Sequence, residues 1–81
     1  MKTISIKHTG DGGPVRVPAT AEDPARAAAE ILARRMYGRA GVCATLRLDS
    51  WADDGSAYTY EAFLGRANGN GVSGQNVRIY T

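Results

Sequence analysis

The stretch AEDPARAAAEILARRMYGRAG, residues 21–41 of an 81-residue chain, restricts the possible folds more than any other. Asp23 is placed to act as an N-cap, its carboxylate accepting from the unpaired N–H groups of a first helical turn. Pro24 follows at the position where its missing N–H costs nothing. Gly38 suits the left-handed residue that closes many helices. At about 100° per residue, Ala25, Ala28, Ile31, Leu32 and Met36 share one face, and Arg26, Glu30, Arg34 and Tyr37 lie opposite. A helix of this length is marginal alone in water. Its apolar stripe must pack on something, and a sheet is the only candidate.

The flanking segments supply that sheet. Ile4 and Ile6 alternate with Thr3, Ser5 and Lys7, the two-residue period of a half-buried strand. TGDGGP breaks the strand, and Val15 and Val17 around Arg16 resume it, which reads as an N-terminal hairpin. Beyond the helix, VCATLRLDS and AYTYEAFL flank WADDGS, whose Asp-Asp-Gly-Ser run is rich in turn formers. Pairing Leu48 with Tyr58, Leu46 with Tyr60, Ala44 with Ala62 and Val42 with Leu64 gathers apolar residues on one face. The other face then carries Cys43, Thr45, Arg47 and Asp49 opposite Phe63, Glu61, Thr59 and Ala57. A one-residue slip would scramble both faces, so the register is well specified. NVRIY reads as a last strand, with Val77 and Ile79 inward and Tyr80 outward beside Arg78. The expectation is one α+β domain over residues 1–81: a single antiparallel five-stranded sheet with one helix packed on one face, in the order β-β-α-β-β-β.

Composition narrows the class. Apolar residues make up 43% of the chain, typical of a globular protein. A core this small gains from dimerisation or partner binding, so a monomer or weak homodimer is expected. Cys43 is the single cysteine, which leaves no internal disulfide and no call for an oxidising compartment. The N-terminal MKTISIKHTG lacks the apolar run of a signal peptide. No segment approaches the ~20 apolar residues that span a bilayer. A cytoplasmic protein with no membrane partner is expected. The net charge of +2 is a mild excess, less than a dedicated nucleic-acid binder concentrates on one face.

One motif raises the possibility of a nucleotide enzyme. Gly69, Gly71 and Gly74 have the G-x-G-x-x-G spacing of a dinucleotide fingerprint. That fingerprint works only where a helix leaves it, because the pyrophosphate sits on the helix's unpaired N–H groups. Here QNVRIYT leaves, which is strand-like. The segment GRANGNGVSGQN therefore reads as a long, flexible hairpin connection and a candidate contact loop.

Catalysis needs converging groups, and the chain supplies few. His8 is the only imidazole and Cys43 the only thiol; an inert, partly buried thiol is the expectation. Asp49, Asp53 and Asp54 lack the spacing of a calcium loop, and no His or Cys pair exists for zinc. No enzyme, cofactor or metal site is expected. Arg35 falls on the apolar helix face, between Ile31 and Leu32. Either it snorkels past the helix end, gaining from the helix dipole, or it reaches a carboxylate or a partner. Arg26, Arg34 and Arg39 could form a basic stripe, but Glu30 can pair with Arg26 or Arg34 at i, i+4, and a solvated face is expected. The most distinctive surface is LDSWADDGS with Glu61 nearby: Asp49, Asp53 and Asp54 around Trp51 at a hairpin tip. An aromatic among charges is favoured at interaction hot spots; a polar turn whose tryptophan folds back on the core is the alternative.

With its short single domain, its lone cysteine, and a hairpin followed by the DPARAAAEILARRMYG helix and the meander GVCATLRLDSWADDGSAYTYEAFLG, the chain resembles the small anti-CRISPR proteins of phages and mobile elements. The resemblance implies a non-enzymatic inhibitor in the host bacterial cytosol that binds protein subunits of a type I surveillance complex (Cascade), type I-C being the subtype it most resembles. Similar members stop target DNA from pairing with the guide. Some inhibitors imitate DNA with a strongly acidic surface, which a +2 chain cannot do as a whole. A local patch of Asp49, Asp53, Asp54 and Glu61 around Trp51, with Arg35, is the expected contact set. Tight binding of free nucleic acid is not expected. The rival is a small nucleic-acid-binding or regulatory domain using Lys2, Lys7, Arg16, Arg34, Arg39, Arg47, Arg66 and Arg78.

Overall fold

The computed structural model describes residues 2–81. Strands β1 (Thr3–His8) and β2 (Val15–Pro18) form the N-terminal hairpin, helix α1 (Pro24–Tyr37) follows, and a short 3-10 turn (Gly38–Ala40) leads into β3 (Gly41–Trp51), β4 (Tyr58–Asn68) and β5 (Gly71–Tyr80). The strands make one antiparallel sheet in the order β2-β1-β5-β4-β3. This is the expected α+β arrangement, β-β-α-β-β-β with one helix. The last strand lies in the middle of the sheet and joins the N-terminal hairpin to the meander through Lys7↔Tyr80 and His8↔Ile79. Beyond that short ladder, the Arg78 N–H donates to Thr9 Oγ1 at 2.8 Å.

The helix begins and ends where its punctuation predicts. Asp23 Oδ1 accepts from the Arg26 N–H at 3.1 Å, Pro24 opens the first turn, and Gly38 caps the end at φ 72, its N–H donating to the Arg34 carbonyl. The buried stripe is Ala25, Ala28, Ala29, Leu32 and Ala33. It is rotated from the expected one: Ile31 is 37% exposed and Ala29 and Ala33 replace it. Small side chains on the contact face let the helix lie close to the sheet, where a stripe centred on Ile31 would hold it away. Leu32, Leu64, Ile79, Val15 and Val17 are the largest fully buried side chains. Each contributes about 1.5–3 kcal/mol by leaving water.

The β3–β4 register departs from expectation in two ways. Leu48 pairs with Tyr60 and Leu46 with Ala62, two residues from the predicted partners, because β3 continues to Trp51 and pairs it with Tyr58. The turn is thus Ala52–Ala57, closed by the Ala52 N–H on the Ala57 carbonyl at 2.9 Å. Register shifts at Ala44 and at Asp49 mark β-bulges. A bulge adds one residue to one strand and so moves what lies beyond it to the other face. The bulge at Ala44 brings Cys43 opposite Leu64, against the core, and puts Val42 opposite Gly65 on the open face. Cys43 was expected beside Phe63 on the open face; Thr45 takes that place.

The glycine-rich segment is no long connection. β4 runs to Asn68 and β5 starts at Gly71, with a two-residue turn between. Gly65 and Gly74 face each other across the ladder. A Cβ on Gly74 would lie 1.9 Å from the Leu64 carbonyl oxygen, so this close approach of two strands requires glycine. A strand leaves the fingerprint, as expected, and no helix N-terminus is there to take a phosphate.

Candidate functional site

A helix of this length spans about 21 Å, while an eleven-residue strand such as β3 or β4 spans about 36 Å. The helix therefore covers only part of its sheet face. Leu46 and Tyr60 still pack against the core. Beyond them, on the same face, Leu48 is 43%, Tyr58 38% and Trp51 61% exposed. The tryptophan does not fold back. The sequence places Leu48 inward because its alternation is right; only the comparison of helix and strand lengths shows that nothing lies above it.

The bulge at Asp49 shapes the outer edge of this end. β3 has a neighbour on one side only. With the extra residue accommodated there, Asp49, Ser50, Trp51 and Asp53 line a shallow cavity of about 340 Å³. Asp49 also turns toward the open face, where its Oδ2 lies 3.6 Å from Arg78 Nη1. Asp54 sits in the turn and accepts at Oδ1 from the Ser56 N–H at 2.9 Å. Hydrogen bonds from the Ser56 side chain and then from its backbone hold the Asp54 carboxyl below the ordinary aspartate range, so the tip keeps this charge in mild acid.

The expected acidic set is thus split. Asp49, Trp51 and Asp53 come together at the cavity. Asp54 lies in the turn and does not line it. Glu61 lies on the open face, where it accepts from Arg47 Nη2 at 3.4 Å. The open face carries a row of alternating charge, Arg47, Glu61, Arg78 and Asp49, which sequence reading missed because cross-strand pairs depend on register. Still, the segment from Leu48 to Gly65 holds four of the chain's eight acidic side chains and none of its ten basic ones. The hairpin is locally negative on a protein that is otherwise positive.

Arg35 joins none of this. Its guanidinium donates to the carbonyl oxygens of Gly13 and Pro14, pinning the β1–β2 loop. β2 and β3 are opposite edges of the sheet. The rotated helix stripe leaves Arg35 at the margin of the contact face, so it neither snorkels freely nor meets a carboxylate. Burial against the helix pushes the Cys43 thiol up, with Arg26 opposing and Glu30 adding a little. Its Sγ lies 3.2 Å from the Thr45 carbonyl, as befits an unreactive thiol. Among the described residues no group of three His, Cys, Asp or Glu side chains could hold a metal ion. Nor, among the described residues, is any helix long and apolar enough to cross a membrane. No family model, no curated protein and no solved structure matches this chain.

Proposed function

We propose that this protein acts by contact alone, as an anti-CRISPR inhibitor that binds a type I Cascade complex in the bacterial cytoplasm and keeps target DNA from it. One observation carries the contact reading: an exposed indole, Trp51, stands beside Leu48 and Tyr58 at a sheet end the helix leaves open, on a locally negative hairpin. Buried aromatic anchors dominate the energy of protein interfaces, and an apolar end rimmed by carboxylates is suited to a basic protein surface. A subunit that grips nucleic-acid backbone has such a surface. The choice of Cascade, and of type I-C as the first subtype to try, comes from the resemblance of the sequence. The test is a pull-down against purified type I-C Cascade, followed by target-DNA binding with and without this protein. Co-purification with loss of DNA binding is expected; full DNA binding in the presence of saturating protein sinks the reading.

A second reading, a small nucleic-acid-binding domain, is favoured by one feature. Lys7, Arg16, Arg47 and Arg78 share the helix-free face with Phe63 and Tyr80, an aromatic and basic surface of the kind single strands stack on. Against it, Arg47 and Arg78 already face Glu61 and Asp49. Retention of free single-stranded DNA with a steep salt dependence would select this reading.

A further inference from the structure

We infer that the cavity at the Asp49 bulge is a socket for an arginine side chain of a protein partner. The inference rests on the reading of the chain as a protein that acts by contact, and it names the chemistry of that contact. The cavity is lined by Asp49, Ser50, Trp51 and Asp53, two acids and a serine beside an aromatic residue. It lies at the sheet's unpaired edge, where the bulge interrupts the ladder. Trp51 is the chain's only tryptophan and, among the described residues, the most exposed large apolar one, so most of its ring is open to a ligand. An indole face attracts a cation, and carboxylates beside it fix the cation's orientation. A planar guanidinium satisfies both at once: it stacks on the ring and directs its donors in the plane toward the acids. An ammonium has the charge without the plane.

The surroundings favour an incoming cation. The tip-proximal part of the hairpin, from Leu48 to Gly65, holds no Lys or Arg; Arg47 and Arg66 lie just outside it. The guanidinium that approaches from the open face, Arg78, reaches only Asp49 Oδ2, and at 3.6 Å. Among the described residues Asp53 has no ion-pair partner. Arg78 also shows that the fold already places a guanidinium against this carboxylate from the other side. The cavity is too open to enclose a small molecule, which suits a side chain presented by a second surface passing along β3.

The test uses three peptides, Gly-Arg-Gly-Gly-Arg-Gly-Gly-Arg-Gly and its lysine and citrulline counterparts, titrated into the full chain. Trp51 emission and backbone amide shifts are followed. The arginine peptide should move the amides of Asp49, Ser50, Trp51 and Asp53 and change the indole emission. The lysine peptide should bind several-fold more weakly and the citrulline peptide not measurably. The Asp49→Asn, Asp53→Asn double variant should lose roughly tenfold in affinity for the arginine peptide, the size of two ion pairs at a half-open site, with the indole contact retained. Equal binding of the arginine and lysine peptides, shifts centred elsewhere, or unchanged affinity in the double variant overturns the socket. Cascade capture is scored separately. Undiminished capture of the double variant removes the socket and leaves the inhibitor; no capture of the wild type, with peptide binding intact, removes the inhibitor and leaves the socket.

Discussion

The two turns at the ends of β4 are built from opposite materials. One, Ala52–Ala57, follows Trp51 and carries Asp53 and Asp54; the other, between Asn68 and Gly71, is glycine and asparagine. In the sequence the glycine turn looks more like a site, because it has a named fingerprint. In the fold Gly74 of that fingerprint serves the sheet, its backbone passing that of Gly65 at close range, while Gly71 takes a positive φ beside the turn. The plainer turn carries the exposed indole and the cavity. A motif points to chemistry only with its structural context, and here a strand stands where the helix would have to be.

That contrast can be broken in order of effect. Gly74→Ala should destabilise by about 3 kcal/mol, since its Cβ meets backbone with no side chain to give way. For a domain of this size the melting temperature should fall by more than about 10 °C. A melt within a degree or two of wild type would mean the glycine ladder is not structural. Trp51→Ala should do the reverse. Its indole is 61% exposed, so thermal stability should hardly move, while partner affinity drops roughly thirtyfold, as for a central aromatic anchor. A stability loss as large as that of Gly74→Ala would show the indole to be core.

The Asp53→Lys, Asp54→Lys double variant should keep the fold and weaken inhibition about tenfold, mainly through slower association that salt masks. Unchanged inhibition by the folded variant removes the charge from the mechanism. Arg35→Met, away from both turns, should cost about 1 kcal/mol through the lost donors to Gly13 and Pro14, and leave inhibition intact. A melt identical to wild type would show the β1–β2 loop to be held without it. Ser56→Ala should have the smallest effect. Removing that donor should let the Asp54 midpoint rise toward the ordinary aspartate range in an NMR titration. Because the folded carboxyl lies below the unfolded one, its contribution is present above the ordinary aspartate range and is lost as pH falls through the lowered value. A midpoint that stays put would assign the shift to the backbone alone.

Local signals carried the elements. Asp23, Pro24 and Gly38 mark the helix because caps act within one turn, and alternation at Ile4, Ile6, Val77 and Ile79 marks strands because a side chain's face depends on its own backbone. The candidate site was half legible: Trp51 with Asp49 and Asp53 stood out as an aromatic among acids, whereas Glu61 and Arg35 belong to other contacts. Alternation puts Leu48 and Tyr58 on the apolar face, but it says only which way a residue points and nothing about what covers it.

The amino-acid order alone settled the β-β-α-β-β-β succession, the single helix and the concentration of negative charge in one hairpin. Each follows from neighbours along the chain. Packing in three dimensions decided the strand order, the two bulges, the ion-pair row on the open face and the exposure of Trp51. Those depend on how far one helix reaches across longer strands, and on which residues meet across a ladder. Short-range periodicity carries neither quantity.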